Sequence, residues 1–166
     1  MSNYIASIKK NNIPLIFIVH KNDTYRRLML RYLTLAGFHS IRCFASGAEC
    51  MHYLHLNPAL VITEYNLEGP SGFVLLQNIK QKNNKLPVII FSGQDDISIA
   101  TKAIQYGAFD YIVKNKYAFD NLNQSIEHFL SLNKKLNRNR RQYLAASVIT
   151  FMVVLLLILL ISWYNR

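Results

Sequence analysis

Acidic residues are scarce in this chain: nine Asp and Glu stand against 19 Lys and Arg in 166 residues. The shortage is uneven, since residues 131–166 contain no acid at all. A basic excess gathered in one short stretch is not a nucleic-acid groove, and nucleic acid is not expected as a partner. Cys43 and Cys50 are too few for a disulfide framework and are expected to stay reduced inside a cell. Six Gly and four Pro are too few for a low-complexity chain, and 51% hydrophobic residues are too many for disorder. Catalytic signatures are missing too. There is no P-loop and no G-x-G-x-x-G, and Ser71 and Ser92 lack a G-x-S-x-G setting. His52 and His55 lie one helical turn apart, with no acid or Cys in register to complete a metal site. The length fits one domain plus an extension.

The extension is read first. Residues 143–164, YLAASVITFMVVLLLILLISWY, carry no charge. As a helix this run spans roughly 33 Å, enough for a hydrocarbon core of about 30 Å. Tyr143 at one end and Trp163 and Tyr164 at the other suit the two membrane interfaces. Lys134, Lys135, Arg138, Arg140 and Arg141 precede the run and only Arg166 follows it, which keeps the preceding domain in the cytoplasm. Those five cations either set orientation alone or also touch anionic head groups. Ala146 and Thr150 supply a weak small-xxx-small signal for a homodimer. Met1 to Asn12 carries Lys9 and Lys10 and no apolar run, so no signal peptide is expected.

The rest reads as alternating strands and helices. Short apolar runs recur at 15–19, 59–63, 88–92 and 111–113, as in parallel strands covered on both faces. The alternating stretch 40–45, interrupted by Arg42, suits an edge strand. Between them lie helical stripes: Tyr25, Leu28, Met29, Tyr32 and Leu35, then Leu75, Leu76 and Ile79, then Ala100, Ala103 and Ile104, and finally Phe119, Leu122, Ile126, Phe129 and Leu130. Arg26, Arg27 and Arg31 form the polar face of the first stripe, solvated or turned toward a partner. Gly37 and Gly107 fit left-handed C-caps, and Asp23 reads as an N-cap. The expected fold is α/β: a five-stranded, parallel, doubly wound sheet of order 2-1-3-4-5, flavodoxin-like, plus one C-terminal transmembrane helix. The segments are a tail (1–13), the domain (14–132), a basic linker (133–142), the span (143–164) and a short end (165–166).

In such sheets the working site lies beyond the carboxyl ends of the strands. Those ends carry His20-Lys21-Asn22, Glu64, Ser92 and Lys114. With E-x-x-L-x-x-x-S-G from Glu64 to Gly72, PVIIFSG at 87–93 and G-A-x-D-Y-I-V-K from Gly107 to Lys114, the stretch from Pro14 to Leu130 resembles the response-regulator receiver domain. The resemblance implies a phosphoacceptor aspartate after the third strand, an acid pair after the first strand that holds Mg²⁺, and a Ser/Thr and a Lys on the phosphoryl oxygens. Ser92 and Lys114 match the last two positions. Glu64 stands at the acceptor position, and His20 and Lys21 stand at the acid pair. Tyr111 falls at the family's aromatic switch position, or is simply a Tyr packed at the sheet edge. Asn115 replaces the proline that usually follows the lysine, so a trans Lys114–Asn115 peptide is expected.

A site with one carboxylate and two lysines is about net positive, which disfavours a hard cation that needs oxygen ligands. Two arrangements remain open at this stage. Lys21 stands in for the metal and pairs with Glu64, with Ser92 and Lys114 completing the network, or the four polar side chains are solvated at the strand ends. The expectation is a degenerate, phosphorylation-incompetent pseudo-receiver, not an enzyme and without cofactor or metal. It is tethered by residues 143–164 to a membrane, the bacterial inner membrane, and binds protein partners there in phosphorelay-related signalling. The family's partner surface, the fourth and fifth helices with the fifth strand, is the expected contact. The alternatives are a phosphorelay receiver with an unconventional acceptor and a scaffold subunit of a membrane assembly.

Overall fold

The computed structural model describes residues 14–164; the side chains at 136, 137, 140, 141, 145 and 153–164 lie outside the description. The tail 1–13 and residues 165–166 lie outside it as well. Five strands, β1 (Ile16–Val19), β2 (Ile41–Phe44), β3 (Leu60–Thr63), β4 (Val88–Ser92) and β5 (Asp110–Val113), pair in parallel in the order β2-β1-β3-β4-β5. This is the order the sequence predicts. Every residue of β1, β3 and β4 is buried, because helices cover both faces of the sheet. The edge strands β2 and β5 are only partly buried, as Arg42 foretells for β2.

The helices are α1 (Asp23–Leu35), α2 (Gly47–His52, continued by a 3-10 turn at Tyr53–Leu56), α3 (Gly72–Lys82), α4 (Ile97–Gln105) and α5 (Ala118–Tyr164). The N-cap of α1 is Asn22, whose side chain accepts the Tyr25 N–H. Asp23, expected to cap, is instead the first helical residue and pairs with Arg26 and Arg27. A one-residue shift decides the cap, because only the residue before the first turn points its side chain at the free N–H groups. The buried stripe of α1 also differs from expectation. Met29 and Leu33 are buried, whereas Leu28 and Leu35 are 47% and 80% exposed. Gly37 and Gly107 do adopt positive φ, 97° and 89°. The Lys114–Asn115 peptide is trans, and no cis peptide occurs among the described residues.

Two compact units divide the chain, Met1–Asn123 and Gln124–Arg166. The core of the first is a cluster around Phe17, Val19, Val61, Leu75, Leu76, Ile79, Val88 and Ile90. The second is helical through Tyr164. In it Leu144, Val148, Ile149, Phe151 and Met152 are all exposed, and the Ser147 and Thr150 hydroxyls donate to the carbonyls of Leu144 and Ala146. Among the described residues no helix is long and apolar enough to cross a membrane. Most of the uncharged run 143–164, with Trp163 and Tyr164, falls on side chains outside the description, as do Arg140 and Arg141. Lys134, Lys135 and Arg138 are exposed on the helix.

Candidate functional site

Three polar residues sit one position past the ends of three strands, and the sheet ladder itself places them there. The His20 N–H donates to Phe44 O (3.1 Å), the Glu64 N–H to Val19 O (2.8 Å) and the Lys114 N–H to Ser92 O (2.7 Å). Each residue thus continues the pairing of its strand, and its side chain is aimed by the pleat rather than by a loose loop. β1 and β3 are neighbours, so His20 and Glu64 stand side by side. The long side chain of Lys114 reaches them from β5.

Glu64 is the centre. Its carboxylate Oε1 accepts the N–H of Tyr65 (2.7 Å) and of Asn66 (3.2 Å). Its Oε2 receives Lys114 Nζ in a buried ion pair and faces His20 Nε2 at 3.3 Å. The Asn22 N–H donates to His20 Nδ1 (3.0 Å), which assigns the ring proton to Nε2. Nε2 therefore donates to Glu64, and Lys114 Nζ, 2.9 Å from Nε2, shares the same carboxylate oxygen. Burial pushes the Glu64 carboxyl up. Against that, the hydrogen bonds from His20 and Lys114, the lysine charge and the Asn66 N–H hold it at about 2. A carboxylate with this many donors is ionised at any ordinary pH.

The remaining expected residues lie elsewhere. Lys21 is exposed and does not reach Glu64; its carbonyl accepts from Arg26. Of the two arrangements left open, the Lys21–Glu64 pair is not formed, and Lys114 takes the carboxylate instead. The ladder stops at His20, and the next residue turns outward into the loop. Ser92 is fully buried, but its Oγ accepts the Gln94 N–H (3.0 Å) and takes no part in the Glu64 cluster. The Tyr111 hydroxyl donates to Gln94 O (2.9 Å), and burial pushes its phenol up. The loop after β4 is thus pinned at Gln94 from two sides.

Three contributors escape a reading of the sequence. Arg26, assigned there to a polar face, donates to the carbonyls of His20 (2.6 Å) and Lys21 (3.0 Å) and holds the β1–α1 loop. Tyr25 lies against His20 and Lys114. Gly72, the first residue of α3, packs so closely that a Cβ there would overlap the Glu64 carbonyl oxygen. Only the third had a signal, the S-G pair at 71–72, and that signal says nothing about which atom Gly72 meets.

The donor set does not fit the divalent cation that the resemblance implies. Mg²⁺ needs several oxygen ligands, whereas the first-strand positions offer an imidazole and an outward lysine. The one inward carboxylate already carries an ammonium. No group of three His, Cys, Asp or Glu that could hold a metal occurs among the described residues.

Comparison with known proteins agrees with the fold. Residues 16–127 match the response regulator receiver domain. The chain is 34% identical over 128 residues to the C4-dicarboxylate transport transcriptional regulatory protein DctD of Rhizobium meliloti, covering 76% of this chain and 27% of that protein. It is 37% identical over 99 residues to the DNA-binding transcriptional regulator NtrC of Klebsiella pneumoniae, covering 59% of this chain and 21% of the relative. The chain thus spans about a quarter of the length of these relatives. Among solved structures, a response regulator receiver domain protein of Clostridium thermocellum superposes with a TM-score of 0.67 at 24% identity, over 74% of this chain and 98% of that one. NtrX of Brucella abortus, solved in complex with ATP, gives 0.67 at 29% identity over 77% of this chain and 29% of that one. The chain belongs to the response regulator receiver domain family.

Proposed function

We propose that this receiver works without phosphorylation, as a membrane-tethered module that binds other proteins in signal transduction. The observation that carries the reading is the Glu64 carboxylate, buried and already bound by Lys114, His20 and two backbone N–H groups. An acceptor in that state is a poor nucleophile, since its lone pairs are engaged and its charge is balanced. No acid pair stands beside it to gather the positive charge that phosphoryl transfer needs. The carboxylate-bound lysine and the pinned Gln94 loop support one fixed receiver state rather than a switch between two.

Tethering is supported by the uncharged run 143–164 and its basic flank. Large apolar side chains exposed along the described part of that run need lipid or another helix to cover them. The Ser147 and Thr150 hydroxyls are already satisfied within the helix, as an apolar surrounding requires. For partners, α4 offers Ile97 and Ile104 at 81% and 48% exposure beside Lys102. An anchored module meets a membrane-bound partner at raised effective concentration.

The test uses the full chain in detergent with a small-molecule phosphodonor and Mg²⁺. The intact mass should remain unchanged. Gain of one phosphoryl group, abolished in Glu64→Gln, would establish instead a phosphorelay receiver with an unconventional acceptor. Co-purification in a fixed-stoichiometry complex would point to the scaffold alternative.

A further inference from the structure

We infer that Tyr25 is a lid over the Glu64 cluster, the residue that shields the Lys114 ammonium from solvent. The inference rests on the reading of Glu64 as an internally bound carboxylate and adds what keeps it so.

The placement begins with the loop. Asn22 accepts the Tyr25 N–H at 3.1 Å, and Arg26 ties the loop through the carbonyls of His20 and Lys21. Tyr25 is therefore held at both the helix cap and the next residue, and its ring has a fixed origin. That ring lies parallel to the His20 imidazole, 4.9 Å between centroids and 3° between planes. Its face also meets Lys114 Nζ at 4.4 Å, while Phe91 lies on the same ammonium at 5.6 Å. The lysine charge is thus boxed in by a carboxylate, an imidazole and two aromatic rings.

The four groups named around the ammonium, whose own side chain is 15% exposed, differ in burial. Phe91 is 1% exposed, and the side chains of Glu64 and His20 are 6% and 5% exposed. Tyr25 is half-buried, the most exposed of the four, and so stands on the solvent side of the ammonium. The negative face of the ring favours the ammonium beneath it, and excluding water strengthens both that contact and the ion pair. An aliphatic side chain could fill volume at this position, but it would offer no face to the cation. The tyrosine therefore favours the closed arrangement specifically.

The test reads the accessibility of Lys114 directly. The full chain in detergent is treated with an amine-acylating reagent, and modification is resolved by residue with mass spectrometry. The exposed Lys116 serves as reference. Lys80, bonded to the carbonyls of Asn84 and Leu86, reports loss of fold. Tyr25→Ala should raise the Lys114-to-Lys116 ratio about tenfold, the scale of a lost desolvated cation–π contact. Tyr25→Phe, which keeps the ring, should leave the ratio near the native value. The same pair of results is expected on a Glu64→Gln background, where the ion pair no longer protects the amine. If Lys80 also becomes reactive in Tyr25→Ala, Tyr25→Leu replaces it and must show the same rise. An unchanged Lys114 ratio in the folded ring-less variant, on both backgrounds, overturns the lid. Phosphoryl uptake by the native chain would overturn the proposed function without altering this ratio, so the two failures are distinguishable.

Discussion

Acid should dismantle the Glu64 cluster, and the amount of stability at stake can be worked out. Burial raises the folded carboxyl, but the hydrogen bonds from His20, Lys114 and the Asn66 N–H and the lysine charge outweigh it, and it titrates at about 2 against an ordinary 4.5. A carboxyl lowered by folding contributes stability that is complete above its unfolded value and is lost as pH falls through its folded value. At 1.36 kcal/mol per pH unit, the difference amounts to about 3 kcal/mol at pH 7. At pH 2.5 the unfolded carboxyl is protonated and the folded one still largely ionised, which leaves about 1 kcal/mol. Glu64→Gln removes the titrating group and leaves Lys114 without its counter-charge, so it should cost about 3 kcal/mol at pH 7. Urea denaturation of both proteins, at pH 7 and at pH 2.5, measures the gap at each end. The gap should shrink to about a third on acidification. A gap that is the same at both pH values, or below about 1 kcal/mol at pH 7, would refute a charged carboxylate held by Lys114 and His20.

Gly72→Ala should destabilise the domain by about 1–3 kcal/mol, since the added methyl meets the Glu64 carbonyl oxygen, a backbone atom that cannot swing aside; equilibrium denaturation checks it, and a neutral effect would mean that α3 starts further from β3. Burial, aided by the Glu49 charge, pushes the Cys50 thiol up to about 12, so at pH 8 a disulfide reagent should leave Cys50 untouched until denaturant is added. Prompt titration of both thiols in the native chain would contradict that burial. Alkaline carbonate should leave the full chain in the membrane pellet and release a chain ending at Arg141; release of the full chain would remove the tether from the proposal.

The sheet was legible because parallel strands buried on both faces leave continuous apolar runs, and the five runs fall within a residue or so of the observed strands. α2 was not legible as a helix, since six residues give too little periodicity to register. The stripe on α1 was misread because Leu28 and Leu35 suit helical spacing as well as Met29 and Leu33 do. Which pair faces the sheet depends on the angle at which the helix lands. At the site, Glu64 and Lys114 could be singled out from strand ends alone. Their pairing could not, because it depends on how far a lysine reaches across neighbouring strands and on His20, not Lys21, being the last residue aimed by the ladder. Tyr25 was visible only as one more apolar-face residue; the chemistry of its ring emerges from what it stacks on.

The curled Glu64 side chain, anchored on the N–H groups of its own two successors, bears on how this protein could be re-engineered into a phosphate-accepting one. Shortening residue 64 to aspartate withdraws the oxygen that Lys114 and His20 share and strands a buried ammonium. Placing an acid at position 20 first sets two carboxylates against each other with the Lys114 ammonium alone between them. Either replacement made alone passes through a less stable protein, so positions 20 and 64 have to change together. Glu64, Lys114 and His20 form an interlocked set, and a route out of it that begins at either 20 or 64 alone runs uphill.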